Sequence, residues 1–166
     1  NKQQEIQDAI SKVLPATKTS RKVFEDESLT IYESMDENNN PVGYAVYTSG
    51  TGFQDIITLM YGLDPSFSKI KALTILEQKE TPGLGAKITD KTAFLRYWEG
   101  RNCEQPLSLR KPAVESPENL APSEVNAITG ATISSEKVLG IVNLSLEKLK
   151  EIKQKGELSS EEKNAT

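Results

Sequence analysis

From Asn126 to Ser135 the chain reads Asn-Ala-Ile-Thr-Gly-Ala-Thr-Ile-Ser-Ser. Four hydroxyl side chains, those of Thr129, Thr132, Ser134 and Ser135, fall within seven positions around Gly130-Ala131. They directly precede a segment of helical periodicity. A helix N-terminus offers unpaired N–H groups and the positive end of the dipole. Small residues let a bulky anion approach the backbone, so the run suits a phosphate. It equally suits an ordinary loop closing on a Thr or Ser N-cap, and by residue physics alone that plainer reading weighs more. The run is not a Walker loop, because no Gly-Lys-Ser/Thr follows. Nor is it a dinucleotide fingerprint, because it holds one glycine.

A second run, Glu80-Thr81-Pro82-Gly83-Leu84-Gly85, is a Pro/Gly loop that needs no function beyond connecting two elements. Other candidates are weaker. Cys103 is the single cysteine and reads as a small apolar filler. Glu77 and Glu80 lie three apart, but no third group separates their acidities. Asn143-Leu-Ser and Asn164-Ala-Thr match the glycosylation sequon by chance. Phe94 and Trp98 fit core packing at their spacing.

Composition narrows the chemistry. The 166 residues suffice for one domain with a real core. With no histidine, Ser-His-Asp hydrolysis, Cys-His proteolysis and His-ligated zinc are excluded. One cysteine excludes an intrachain disulfide and a cysteine-cluster metal site. The net charge is −4 with no long basic run, so no nucleic-acid partner is expected. Chemistry must come from hydroxyls, carboxylates, lysines or a borrowed cofactor.

The elements that would position these runs are legible in outline. Ile6, Ile10 and Val13 predict a helix over Lys2–Leu14, stopped by Pro15. Strands are predicted at Ser28–Met35, Val42–Thr48, Ile56–Tyr61 and Ile70–Leu76, joined by short turns as an antiparallel meander. Asp90 is a candidate N-cap for a short helix through Glu99, with Phe94, Leu95 and Trp98 as its buried side. Residues 106–122 read as an extended connection with a short strand at Leu107–Leu109. A long helix is predicted from about Ile133 to Lys155, with Leu139, Val142, Leu146 and Leu149 as its apolar stripe. The fold class is therefore α+β: a single domain with an antiparallel sheet, a short helix and a long C-terminal helix.

The Asn126–Thr132 run resembles the flavinylation motif of FMN-binding domains, roughly Asp-x-x-Ser/Thr-Gly-Ala-Thr. The Glu80–Gly85 loop resembles a second signature of that family. It is found in the G subunit of the Rnf electron transport complex and the C subunit of the sodium-translocating NADH:quinone reductase. Gly52-Phe53-Gln54-Asp55-Ile56 and Tyr61-Gly62-Leu63-Asp64 resemble further family positions. The compact chain is more similar to the G subunit, and the resemblance covers about Val42–Val142. One departure is Asn126, where the family usually has Asp.

The resemblance implies covalent FMN, joined through a phosphoester to Thr132 by a separate flavin transferase. Thr132 has no His or Lys beside it to activate it, which agrees with modification by another enzyme. Thr129, Gly130, Ala131, Ser134 and Ser135 would surround the phosphate, with Ser134 and Ser135 donating hydrogen bonds to it. Glu80, Thr81, Pro82, Gly83, Leu84 and Gly85 would wall the ring, with Lys87 as a polar partner. The family further implies an electron relay among the subunits of an ion-translocating membrane complex. The domain would lie on the extracytoplasmic face, anchored by a membrane helix preceding Asn1. Residues 1–22 would form a helix and linker after that anchor, 23–155 the FMN-binding domain and 156–166 a frayed tail. The alternatives are an assembly module of the same fold without flavin, and a free FMN-binding reductase.

Overall fold

The computed structural model describes residues 1–159. Its elements run α1 (Lys2–Val13), β1 (Thr19–Glu25), β2 (Leu29–Met35), β3 (Pro41–Thr51), β4 (Ile56–Leu63), β5 (Lys69–Glu77), β6 (Arg101–Asn102), β7 (Ser108–Arg110), β8 (Glu124–Asn126) and α2 (Thr132–Gln154). Strands β1 to β6 form one antiparallel sheet in sequence order, and β7 and β8 pair in parallel.

The sheet is covered on both faces. Ile6, Ala9, Ile10 and Val13 of α1, with Leu14, pack on Ala45 and Met60. On the other face Ile57, Leu59, Tyr61 and Leu63 of β4 meet Val138, Val142, Leu146 and Leu149 of α2. Central β4 therefore reads as a nearly unbroken apolar run instead of alternating, because neither of its faces meets water. The Tyr61 hydroxyl is 2.6 Å from Ser145 Oγ and so satisfies its polar end inside the core.

The meander, the N-terminal helix and the long C-terminal helix are as expected, and the differences have physical causes. Strand β1 is unanticipated. It is an edge strand whose only buried residue is Val23, and polar edges carry almost no periodic signal. The expected boundary at residue 22 falls inside β1, and α1 packs on the sheet as part of its core. Strands β6 and β8 are too short to show a period. The segment Asp90–Glu99 is not an α-helix. Asp90 is not its N-cap: its carboxylate accepts the Thr92 N–H at 3.0 Å in a local turn, and the 3₁₀ turn that follows at Leu95–Trp98 starts from Phe94 with no side-chain cap. Phe94 and Trp98 are buried there, packed edge to face at 5.8 Å.

The start of the expected frayed tail is docked: Leu158 packs against the core and the Ser159 N–H reaches Val23 O at 3.0 Å. The sequon at Asn164 lies outside the described residues. Among the described residues no helix is long and apolar enough to cross a membrane.

Candidate functional site

The turn between β3 and β4, the Glu80–Gly85 loop and the first turn of α2 converge at one end of the sheet. Their common point is Glu80, a carboxylate only 4% exposed. Its Oε1 accepts the Phe53 N–H at 2.9 Å and the Ser134 hydroxyl at 2.7 Å, while Oε2 accepts the Gln54 N–H at 2.9 Å. Burial opposes its ionisation. The bonds from Ser134 and from the Gln54 and Phe53 amides outweigh burial and hold the carboxyl below its ordinary range.

The loop and the helix touch because Gly85 lacks a side chain. A Cβ there would lie 2.4 Å from Ser134 Oγ and 3.0 Å from Glu80 Cβ. Thr81 O, accepting the Leu84 and Ala86 N–H groups at 3.1 and 3.0 Å, folds the loop back on itself. The hydroxyl-rich run is equally determined. Gly130 sits at φ +85°, a conformation that L side chains rarely adopt. Ser135 Oγ accepts the Ile128 N–H and donates to Ala131 O, both at 3.0 Å. Just upstream, the buried Asn126 amide clasps one backbone position with both ends. It accepts from Val114 N and donates to Val114 O, each at 2.8 Å.

Between these segments lies a groove of about 310 Å³, lined by Phe53, Thr81, Leu84, Gly85 and residues 130–134. Three apolar side chains stand beside it in solvent: Phe53 at 54% exposure, Leu84 at 49% and Ile133 at 47%. Single exposed apolar residues are ordinary, but a cluster around a concavity marks a binding surface. A larger depression of about 890 Å³ lies between α2, the start of β2 and the end of β3. It shares Ile133 with the groove but contains neither motif.

The hydroxyls divide cleanly. Those of Ser134 and Ser135 are buried and bonded to protein groups, so they position the motif and do not face a phosphate as expected. Thr129 is exposed and outside the groove lining. Thr132 is half-buried, lines the groove, and its hydroxyl has no hydrogen-bond partner among the described residues. The N-cap residue of α2 is Ala131, with no side-chain cap, so the N–H groups of the first turn stay open.

Of the loop residues, Thr81, Leu84 and Gly85 line the groove and Glu80 braces it from behind. Pro82, Gly83 and Lys87 do not line it. Phe53 and Ile133 lie in stretches the sequence flags but are not among the expected binding residues. The available signal was phase, since Ile133 is an apolar residue off the buried stripe of its helix.

The remaining candidates are structural. Burial raises the Cys103 thiol to about 11 and makes it inert. Asn143 spends its amide on Leu107 N and O, both at 2.9 Å. Glu77 is exposed at the surface near Lys2.

Comparison with known proteins agrees with this geometry. Residues 52–147 match the FMN-binding domain, a stretch that spans the Phe53 turn, the loop and the Thr132 run. The chain belongs to the FMN-binding domain family. One relative is the G subunit of an ion-translocating oxidoreductase complex from Methanosarcina acetivorans, 33% identical over 119 residues, 70% of this chain and 56% of the relative. Another is the G subunit of a Na(+)-translocating ferredoxin:NAD(+) oxidoreductase complex from Acetobacterium woodii, 32% identical over 123 residues, 74% of this chain and 56% of the relative. The chain thus spans just over half the length of these relatives.

Solved structures share the fold. NqrC from Shewanella oneidensis superposes with a TM-score of 0.61 at 21% identity, covering 83% of this chain and 73% of that one. The C subunit of the Na(+)-translocating NADH-quinone reductase from Parabacteroides distasonis gives 0.61 at 20% identity, covering 84% and 80%. In this FMN-binding domain the family match encloses every segment that lines the groove.

Proposed function

We propose that this FMN-binding domain is an electron-relay subunit of a membrane-bound, ion-translocating complex of the Rnf type, carrying FMN through a phosphoester on Thr132. The observation that carries this reading is the division of the hydroxyls. Of the four in the hydroxyl-rich run, Thr132 alone is both unspent and lining the groove where the two motifs meet.

The residues fit the group. Phe53, Leu84 and Ile133 offer apolar surface to a flat ring, and the uncapped start of α2 offers N–H groups to a phosphate. Bound there, FMN supplies one- and two-electron chemistry. The chain's own residues hold and orient it. Gly130 allows the turn that presents Thr132. Ser135 ties that turn to the helix.

Among the described residues no carboxylate, lysine or arginine lines the groove, and the Glu80 carboxylate behind it is fully engaged, so none of them offers Thr132 a general base. That supports attachment by a separate flavin transferase. The relatives' names support assembly with the other subunits of a membrane complex. Within this proposal the domain lies on the extracytoplasmic face, tethered by an upstream membrane helix, as the family resemblance implies.

A relay needs no dinucleotide site. The main sheet is antiparallel, and the parallel pair β7–β8 joins without a glycine fingerprint. The test is to co-express the chain with a flavin transferase, denature and precipitate it, and separately mix the native protein anaerobically with dithionite or NADH. The expected result is colour retained in the precipitate, and bleaching by dithionite but not by NADH within about a second, the ordinary turnover scale. Flavin lost to the supernatant would contradict covalent attachment. Rapid bleaching by NADH would identify a free reductase, and a colourless protein an assembly module.

A further inference from the structure

We propose that Glu80 is the positioning residue of this site: its carboxylate clasps the Phe53–Gln54 turn to the first turn of α2 and leaves a fixed negative charge behind the groove that tunes the cofactor. The proposal rests on the FMN reading above, which places the ring against Phe53 and Leu84.

The geometry is specific. Glu80 takes two consecutive backbone N–H groups, those of Phe53 and Gln54, one on each oxygen, and adds the Ser134 hydroxyl on Oε1. Three segments distant in sequence therefore share one side chain. Phe53 is half-exposed and follows Gly52, so little else fixes its backbone. The Gly52 N–H bond to Asp55 O, at 2.8 Å, closes the turn but does not attach it to the helix. Ser134 sits two residues after Thr132 in the same helical turn. The clasp thus sets the separation between the Phe53 wall and the Thr132 hydroxyl before any ligand arrives, which is preorganisation.

The donors to Glu80 are neutral backbone amides and a hydroxyl. Gly85 and Ser134 both line the groove and both abut Glu80, so that charge lies one residue layer from the ring site. A buried negative charge disfavours placing further electrons beside it.

Glu80→Gln keeps shape but has a single acceptor oxygen. Whichever way its amide turns, one of the two backbone N–H groups faces an NH₂ group. In the flavin-free chain, amide hydrogen exchange at Phe53 or Gln54 is expected to accelerate roughly tenfold or more, the loss of a bond to a charged acceptor. This arm requires no FMN, so it stands or falls apart from the FMN reading. In the flavin-loaded chain, the midpoint potential is expected to rise and the visible circular dichroism of the flavin to change. A merely structural role would lower the melting temperature and move neither signal.

Should Glu80→Gln not fold, Ser134→Ala removes the helix from the clasp while keeping the charge. It is expected to change the flavin dichroism with a smaller shift in potential. Equal exchange of both amides in wild type and Glu80→Gln would overturn the clasp. An unmoved potential in Glu80→Gln would overturn the tuning role, and unchanged dichroism in Ser134→Ala would remove the link to α2.

Discussion

The two ends of α2 are built on opposite principles. At its C-terminus the protein closes the helix itself. Gly156 adopts φ +68°, its N–H returns to Lys153 O and the Glu157 N–H to Ile152 O, both at 3.0 Å, and Leu158 then packs on the core. At its N-terminus no side chain caps the helix, Ile133 stands in solvent and the Thr132 hydroxyl is unpaired among the described residues. Serine and threonine, the best capping residues, are abundant there, yet Ser134 and Ser135 brace neighbouring segments. An end left open amid residues able to close it marks the place where something else binds. Changes at the closed end should therefore cost stability alone, and changes at the open end should also cost the cofactor.

The largest effect is expected from Gly85→Val, because its Cβ would meet Ser134 Oγ at 2.4 Å. Overpacking of this kind costs about 1–3 kcal/mol, and pushing the loop off the helix should distort the groove. Urea unfolding and the visible spectrum of the flavin-loaded chain should both change. An undisturbed spectrum would break the link between the loop and the open end.

Gly156→Val is the matching change at the closed end. A β-branched residue in the left-handed region costs about 1–2 kcal/mol, with no loss of FMN incorporation by mass. Reduced incorporation would show that the two ends are not separable.

Asn126→Asp acts just upstream of the open end. The substitution restores the residue usual in the flavinylation motif, but a carboxylate cannot donate to Val114 O. A loss of about 1–3 kcal/mol in urea unfolding is expected, the cost of an unsatisfied buried group. A gain in stability would mean that the clasp on Val114 is replaceable.

The smallest effect concerns pH. Burial opposes ionisation of Asp26, but hydrogen bonds from Lys148 and from Ser28 and Leu29 overcome it and hold its carboxyl far below the usual range. Glu80 is also lowered. A carboxyl depressed in the folded state stabilises above its unfolded value and loses that contribution as pH falls through the folded one. Stability should therefore decline from about pH 4 downward. Asp26→Asn, which removes the ion pair to Lys148 in the closed half of α2, should flatten part of that slope while FMN incorporation stays intact. An identical slope in the variant would remove Asp26 from the account.

Much of this is legible in the residues alone, for reasons that also explain the rest. The meander and α2 are readable because their burial is periodic, and the two motifs because their residue types are unusual together. Strand β1 is hidden by its polar edge, and Asp90–Glu99 shows helical spacing over a stretch that holds only a 3₁₀ turn. At the site, Thr132 can be named from position in a motif. Which hydroxyls are spent cannot, since Ser134 is occupied by a carboxylate 54 residues away in sequence. Phe53 joins the groove through that same carboxylate. Asn126 looks like a departure from a pattern, and its fit to Val114 is visible only once residues 111–126 fold back.

The most direct measurement is peptide mapping of the chain after co-expression with a flavin transferase. The expected result is one FMN, less one water, on the peptide containing Thr132, fragment ions placing it on that residue, and complete loss of the adduct in a folded Thr132→Ala variant. An adduct on Thr129 or Ser134, or undiminished incorporation in Thr132→Ala, would contradict it.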